Sequence, residues 1–371
     1  MKNRILVVNL IEQSDAYPNA KYQTDFFLKS KAFDVKLVCF PTWGNKESWL
    51  IARFFSFLYA HFKVAVKLAL YKGDMIYVFY PSLFVACLAY VLCPKHKVVL
   101  DAFISIYDTV VIDRTLIRQQ SALARILLWL ERQVYLRSSK VVVDTNSNGE
   151  YYSALFNVPA STFSSVPLFT NEDDYCETEY KPIRDRCRVL FVGTLVPLHG
   201  VEVIVRAVEM LRESECFKYM EFVIVGDGQC RSCLDELLKL ELKNVKWVRG
   251  WLDSPSLAEQ IFQADICLGV FGQGKAERVM PYKAYLYSCV GRAMISCEGY
   301  SSDNPGVKAI SCEGTVEDKA ARLASEIAYL CAHPLERLKL SKESSRYYHQ
   351  MLSNKVASKK LEQVFLEVCE S

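Results

Sequence analysis

The chain has 371 residues, of which 51% are hydrophobic and 23% charged, so it can form two ordinary domains with substantial cores. This composition excludes a disordered or collagen-like protein. A net charge of +3 argues against a dedicated nucleic-acid-binding protein, so no nucleic-acid partner is expected.

The first half alternates short apolar runs with longer helical patterns. Near-continuous apolar runs are typical of parallel strands that are buried on both faces. They fall at Ile5–Leu10, Val35–Phe40, Met75–Tyr80, Lys97–Asp101 and Lys140–Asp144. A helical pattern occupies Gln119–Leu136. These elements predict one doubly wound α/β half.

The segment Trp49–Tyr71 has the length of a membrane-spanning helix but not the composition of one. It is interrupted by four charged or titratable residues, Arg53, His61, Lys63 and Lys67. Such groups are costly at bilayer depth, and Leu83–Cys93 is too short to cross. We therefore predict two helices, the first of them amphipathic. The basic segment 48–97 either lies on an anionic membrane surface or contains an ordinary core helix, and both alternatives stay open.

The character of the chain changes near Pro167. Residues 167–187 are polar, acidic and proline-bounded, which is typical of a linker. Six further strands are expected at Arg188–Val192, Glu221–Val225, Val245–Arg249, Ile266–Val270, Ala293–Ser296 and Val307–Ile310. Helical patterns lie at 200–214, 230–242, 255–264 and 279–290. The whole chain therefore predicts an α/β fold of two Rossmann-like doubly wound domains, with a ligand cleft at the carboxyl ends of their strands.

Fourteen cysteines are spread from Cys39 to Cys369. The start of the sequence, MKNRILVVNL, lacks the features of a secretory signal, so we expect reduced thiols that pack as small hydrophobic side chains. Cys230 and Cys233 have CxxC spacing, but a single such pair favours core cysteines over a zinc or redox site.

Glycines lie where the strands of the second half end. Glycine in a strand-to-helix turn lets backbone amides approach an anion, and the dipole of the following helix favours that anion. The first two such turns contain Gly193, Thr194, His199, Gly200, Gly226 and Gly228. Their position predicts a phosphate-binding edge, with His199 either near the phosphates or structural.

The segment FGQGKAERVMPYK contains three cations within a stretch of nine residues. They are Lys275, Arg278 and Lys283. Cations beside glycine turns suit a diphosphate. Lys275 and Arg278 are more readily explained as diphosphate ligands than as solvated charges. Lys283 has an equal alternative, in which its long side chain extends to solvent from a helix.

Asp101 ends a predicted strand at the expected cleft. There it can contact a sugar or orient an acceptor hydroxyl, and it can equally be a turn cap.

Four blocks of the second half resemble the donor-binding domain of glycosyltransferase family 4, which has the GT-B architecture. They are FVGTLVPLHGVEVIVRAVEML, FVIVGDGQCRSCLDELL, VKWVRGWLDSPSLAEQIFQADICLGVF and KAERVMPYKAYLYSCVGRAMIS. In the first half, DAFISIYDTVVIDR and VVVDTNSNGEYY resemble a bacterial branch of that family that assembles surface polysaccharides.

The resemblance implies a retaining transfer of a sugar from a UDP- or GDP-linked donor to a glycan or polyprenyl-linked acceptor. It implies an acceptor-binding domain at 1–168, a linker at 169–186 and a donor-binding domain at 187–344. A C-terminal helix at 345–371 would rejoin the first domain. The implied location is cytoplasmic, peripheral to the inner face of a bacterial membrane.

The implied catalytic residues are Asp101, Lys275 and Arg278. The implied donor-binding residues are Gly193, Thr194, His199, Gly200, Gly226, Gly228, Glu277 and Lys283. No cofactor and no obligatory metal are expected, because cations and amides can stabilise a departing diphosphate and the sequence has no Asp-x-Asp triplet.

The sequence departs from the family pattern at four positions. Thr194 and His199 replace an arginine and a lysine, whereas Arg278 and Leu286 replace two glutamates. Leucine cannot bind ribose hydroxyls, and Glu277 lies one position from the first expected glutamate. Two alternatives therefore stay open: a catalytically silent GT-B scaffold in the same pathway, and a sugar-nucleotide 2-epimerase.

Overall fold

The computed structural model describes residues 3–11, 17–43, 50–176, 179–180, 186–272, 274–299 and 303–370. The chain divides into two compact units, Met1–Thr170 together with Asn354–Ser371, and Asn171–Ser353. Each unit contains a six-stranded parallel sheet. The second unit is thus inserted between two segments of the first.

The first unit alternates strands and helices along the chain. Its elements are β1 (Asn3–Ile11), α1 (Pro18–Lys29), β2 (Phe33–Trp43), α2 (Leu50–Ala69), β3 (Met75–Val78), α3 (Leu83–Leu92), β4 (Lys97–Asp101), α4 (Ala122–Arg137), β5 (Lys140–Val143), α5 (Asn146–Phe156) and β6 (Phe163–Ser165). The strand order is β2-β1-β3-β4-β5-β6, and every pair is parallel.

The two faces of this sheet are covered by different helices, because alternate strand residues point to opposite faces. Leu6 and Val8 of β1 pack in one core with residues of α2, α3 and α4. Ile5 and Val7 pack in the other core with α1 and with the last helix of the chain. Burial on both faces explains why the strands read as continuous apolar runs.

The second unit has the same alternation. Its elements are β7 (Cys187–Val192), α6 (Val201–Leu211), β8 (Met220–Val225), α7 (Arg231–Leu238), β9 (Val245–Val248), α8 (Ser254–Phe262), β10 (Ile266–Leu268), α9 (Lys275–Arg278), α10 (Tyr282–Val290), β11 (Ala293–Cys297), β12 (Val307–Ile310), α11 (Val316–Ala332) and α12 (Pro334–Tyr347). The order is β12-β11-β10-β7-β8-β9. Successive strands are added first on one side of β7 and then, from β10 on, on its other side. Doubly wound sheets bind ligands at such a reversal of strand order, which here lies between β7 and β10.

The last helix, α13 (Asn354–Glu370), returns to the first unit. The points of departure and return are tied together: Thr170 donates its N–H to Oδ1 of Asn354 at 2.8 Å, and Nδ2 of Asn354 donates to the Thr170 carbonyl at 2.7 Å. The Phe365 ring of α13 lies 5.5 Å from each of three buried rings, those of Phe27, Phe33 and Tyr77. Helix α13 therefore completes one core of the first unit.

The predicted α/β class with two doubly wound parallel sheets is confirmed. Two predicted helices are interrupted. The pattern at 279–290 begins only at Tyr282, because Pro281 favours extended backbone before it and Val279 is extended. The last helical pattern breaks at Ser353, whose ψ is 155°. In the part of the chain that the structure describes, no helix has both the length and the apolar composition needed to cross a bilayer.

The segment predicted as a linker has buried tyrosines. Tyr175 and Tyr180 are 3% and 6% exposed. The Tyr180 hydroxyl donates to Asp265 at 2.6 Å and accepts from Nε of Arg337 at 2.8 Å. These contacts hold part of the segment against the second unit.

One cysteine pair differs from the expectation of free thiols. The structure pairs Cys297 with Cys312, whose Cα atoms are 5.5 Å apart. Strands β11 and β12 are neighbours in which Cys297 is opposite Ile310, so the chain brings Cys312 within disulfide range. Cys230 and Cys233 are free.

Candidate anion-binding site

The ends of β7 and β8 meet backbone to backbone. Gly193 follows β7 with a φ of +150°, and its N–H donates to the Val225 carbonyl at 3.0 Å. Gly226 follows β8 with a φ of +136°, and a Cβ there would lie 2.0 Å from the Gly193 carbonyl oxygen. Only glycine fits at Gly226, because any side chain would displace the Gly193 peptide.

The same edge continues through Gly228. A Cβ on Gly228 would lie 2.6 Å from the Leu195 carbonyl oxygen. Leu195 donates its N–H to the Asp227 carbonyl at 3.1 Å and accepts from the Cys230 N–H at 2.9 Å. The predicted glycine turns therefore form one packed backbone surface above β7 and β8.

A short turn brings the loop after β10 to this surface. Residues Pro197–His199 form a single turn that ends at Gly200, with a φ of +61°. Phe271 donates its N–H to the His199 carbonyl at 3.2 Å, and Gly272 donates to the Leu198 carbonyl at 3.2 Å. Since α9 begins at Lys275, its cations follow directly from a loop anchored to the glycine turn.

Lys283 extends under the glycine turn instead of reaching solvent. The side chain is only 6% exposed, and its Nζ atom has no hydrogen-bond partner among the described residues. Nζ lies 3.8 Å from the centroid of the Phe191 ring and 3.3 Å from the place where a Cβ on Gly193 would lie. Burial removes water from the ammonium and holds the pKa of Lys283 well below its ordinary value.

His199 packs against the same lysine and ring. Its Nδ1–H donates to the Thr194 carbonyl, and its ring meets the Phe191 ring edge-on at 5.8 Å. Burial, then repulsion from Lys283, keeps the pKa of His199 well below its usual range. The imidazole is therefore neutral near pH 7, and because Nδ1 carries the proton, Nε2 is a hydrogen-bond acceptor.

The side chains of α9 are more accessible. Lys275 and Arg278 are half-buried, Glu277 is exposed, and Ala276 between them is fully buried. Each of the two cations has contacts within the protein. Their roles, like those of the other predicted site residues, stay predictions.

Leu286 lies in the buried helix α10 and is 3% exposed. The glutamate that the family has at this place is thus replaced by a side chain that belongs to the core. Within the described ranges, no three His, Cys, Asp or Glu side chains are grouped as metal ligands would be.

Asp101 lies in the first unit, at the end of β4. It is 2% exposed, and its Oδ1 accepts the Phe103 N–H at 2.9 Å, which is a turn-capping contact. Burial above all, and then the negative charge of Asp144, raise the pKa of this carboxyl to about 7, although the hydrogen bond from the Phe103 N–H opposes them. Asp144 is itself buried and accepts from Nδ2 of Asn148 at 2.9 Å.

Two residues of this neighbourhood carried no functional signal in the sequence. Phe191 looks like any strand residue, yet its ring contacts both Lys283 and His199. Tyr287 lies in an apolar helix, yet its hydroxyl accepts the Val192 N–H at 3.0 Å and so helps to fix the end of β7. Both roles depend on contacts between segments that are distant in the sequence.

No protein-family model matches the chain, and no curated protein matches it in sequence. Solved structures match nearly all of it. The sucrose-phosphate synthase of Thermosynechococcus elongatus has a TM-score of 0.73 at 15% identity, covering 99% of this chain and 99% of that chain. Anabaena HepE in complex with UDP and glucose has a TM-score of 0.67 at 13% identity, covering 98% and 100%. WaaG, a glycosyltransferase involved in lipopolysaccharide biosynthesis, has a TM-score of 0.64 at 14% identity, covering 97% and 99%.

Similarity at such low identity establishes the fold. The predicted GT-B class, with two Rossmann-like doubly wound domains, is confirmed.

Proposed function

We propose that this GT-B protein is a retaining, metal-independent glycosyltransferase of the family 4 type. It would move a sugar from a UDP- or GDP-linked donor to a glycan or polyprenyl-linked acceptor. The observation that carries the proposal is the buried ammonium of Lys283, which lies under the glycine turn without a hydrogen-bond partner among the described residues. A diphosphate oxygen would supply the missing acceptor.

The chemistry follows from where negative charge develops. As the sugar–phosphate bond breaks, the departing diphosphate gains charge, and preorganised cations stabilise that charge without reorganising. Lys283 would act from below the turn and Lys275 and Arg278 from α9, while amides near Gly193 and Gly200 would contact the phosphate oxygens. In this scheme the cations do the work that a metal ion does in other transferases.

The comparisons support the donor class. HepE was solved with UDP and glucose, and WaaG acts in lipopolysaccharide biosynthesis. We carry over a nucleotide-sugar donor and a role in bacterial surface-polysaccharide synthesis as parts of the proposal. The proposal also places the protein at the inner face of the cell membrane.

In this proposal Asp101 serves the acceptor side. A carboxyl with a pKa of about 7 is poised to exchange a proton at neutral pH. Because Asp101 is almost fully buried, it would orient the acceptor hydroxyl only when a substrate reaches the end of β4.

The test is a donor panel. Purified protein would be given UDP- and GDP-linked sugars with a polyprenyl-diphosphate glycan, with and without a chelator. We expect transfer from one donor, unchanged by the chelator, and a product whose anomeric configuration matches that of the donor by NMR. Inverted product would refute the retaining assignment, and chelator-sensitive transfer would refute metal independence.

The buried Leu286 favours one alternative, a catalytically silent scaffold. Calorimetry with UDP and GDP separates the two functions. Binding that is lost in Lys283→Met supports the transferase, whereas a wild-type protein that binds neither nucleotide supports the scaffold.

A further inference from the structure

Helix α2 exposes an apolar face on the side opposite its buried stripe. Ala60, Val64 and Leu68 recur at helical spacing and pack into the first unit. Among the side chains of α2 that the structure describes, which begin at residue 54, the opposite side exposes six large ones, Phe54, Phe55, Leu58, Tyr59, Phe62 and Val66. Phe62 is 66% exposed, so this face is not an ordinary core surface.

The exposed side continues onto the two neighbouring helices. Phe57 of α2 meets Phe84 of α3 edge-on at 5.9 Å. The Tyr90 hydroxyl of α3 donates to the Val134 carbonyl of α4 at 3.2 Å. Exposed apolar residues of these two helices are Phe84, Val91, Leu92, Leu123, Ile126, Trp129 and Leu136. We call the exposed apolar residues of α2, α3 and α4 the apolar helical face.

All three helices lie on one side of the sheet, because they share a core with Leu6 and Val8 of β1. The apolar helical face is therefore the outer surface of a single helical layer. On α4, Leu123, Ile126 and Trp129 recur every three residues, whereas Ala124, Leu127 and Val134 are buried. One apolar side of such a helix packs into the core of the protein, and the second apolar side is available to a binding partner.

The charges around this face are predominantly positive. Residues 50–140 contain twelve Lys or Arg and five Asp or Glu. The only acidic residue of α2, α3 and α4 is Glu131, which is 3% exposed. Its carboxylate accepts hydrogen bonds from Ser105 and from the backbone of Ile106 and Tyr107. Exposed cations beside the face include Lys67, Lys72, Arg118, Arg125 and Arg137.

We propose that the apolar helical face docks onto the surface of an anionic lipid bilayer. Aromatic side chains such as Trp129 and Tyr59 partition into the interfacial zone, while lysines and arginines pair with anionic headgroups. A second copy of this chain fits less well, because a two-fold contact would set the same cations against each other. The inference rests on the membrane location in the proposed function and deepens it by naming the surface that binds lipid, and it involves none of the residues proposed for sugar transfer.

The test is co-sedimentation of the full chain with vesicles of phosphatidylcholine, alone or mixed with phosphatidylglycerol. We expect binding to the mixed vesicles, and a loss of at least about tenfold in the double variant Phe62→Ser, Trp129→Ser. Leu366→Ser is the matched control, because Leu366 is 47% exposed on α13 and lies on the other side of the sheet. It should bind as the wild type does, and circular dichroism checks that all three proteins are folded.

The charge contribution is tested separately. The double variant Lys67→Glu, Arg125→Glu should weaken binding to the anionic vesicles by at least about fivefold for each cation that is removed. Equal binding to neutral and anionic vesicles would overturn the anionic assignment. A dimer that dissociates in Trp129→Ser, without vesicle binding by the wild type, would assign the face to a second copy instead. A change in sugar transfer without a change in vesicle binding bears only on the proposed function.

Discussion

The ammonium nitrogen of Lys283 lies 3.8 Å from the centroid of the Phe191 ring, under the backbone of Gly193. The ring face offers only a weak cation–π attraction in place of the water that the ammonium has lost. A buried cation held in this way destabilises the empty site and favours an anionic ligand.

Lys283→Met should separate stability from binding. The variant removes a buried charge and keeps the length of the side chain, so we expect the free energy of unfolding to rise by about 1 to 3 kcal/mol. Nucleoside diphosphate binding should weaken by about tenfold to a hundredfold. Chemical denaturation and calorimetry measure the two effects, and Lys246→Met, at an exposed ion pair with Glu221, is the control. A variant that loses stability and keeps its affinity would refute this role.

Nucleotide binding should take up a proton. Burial depresses the pKa of Lys283 in the free protein, and a bound diphosphate would raise it again. Between these two pKa values affinity falls as pH rises, whereas below the free-state pKa the lysine is protonated in both states and affinity is independent of this group. Calorimetry in buffers of different ionisation enthalpy measures the uptake. Proton release, or an uptake that persists in Lys283→Met, would contradict the assignment.

Gly226→Ala should disrupt the site through one clash. The new Cβ would lie 2.0 Å from the Gly193 carbonyl oxygen, so we expect a loss of about 2 to 4 kcal/mol in stability together with the loss of nucleotide binding. Gly250→Ala is the matched control, because its φ is also positive, at +99°, but nothing lies within 4 Å. It should cost about 1 kcal/mol. Equal effects of the two variants on binding would show that backbone strain alone explains the loss.

Asp101→Asn should stabilise the first unit at alkaline pH. The folded-state pKa of about 7 lies above the ordinary 3.8, so stability from this group is fully present below the unfolded pKa and is lost as pH rises through the folded value. We expect the free energy of unfolding of Asp101→Asn to exceed that of the wild type by about 1 to 4 kcal/mol at pH values above the folded-state pKa. Below the unfolded pKa the two proteins should be equally stable. Denaturation at several pH values measures this. Asp144→Asn should move the window to lower pH, since it removes a neighbouring negative charge.

The same substitution tests the predicted catalytic role. If Asp101 orients an acceptor hydroxyl, Asp101→Asn should reduce kcat by about a hundredfold or more while the affinity for nucleotide is unchanged. Unchanged transfer would leave Asp101 with the capping role that its bond to the Phe103 N–H indicates.

The strands could be predicted because burial on both faces leaves a mark on neighbouring residues. All eleven expected strands are present, from Asn3–Ile11 to Val307–Ile310. The additional strand Phe163–Ser165 is three half-buried residues long and pairs with β5 alone, so no apolar run marked it. Edge strands of this kind depend on their neighbour and not on their own composition.

The site could be predicted only in part. Glycine turns and cations are visible as residue types, but the burial of Lys283 is not, because a lysine in the first turn of a helix can extend to solvent as easily as inward. Its inward course depends on the missing side chain of Gly193 and on the ring of Phe191, ninety residues away or more. Contacts between residues so far apart leave no pattern in the sequence around the lysine.

The return of α13 to the first unit has a consequence for synthesis on the ribosome. Phe365 fills a core with Phe27, Phe33 and Tyr77, so that core cannot close until translation has passed residue 365. The inserted unit, Asn171–Ser353, is complete earlier. Vectorial folding would therefore finish the later-encoded unit first, and the nascent amino-terminal sheet would wait with one face only partly covered, as a natural client for a chaperone.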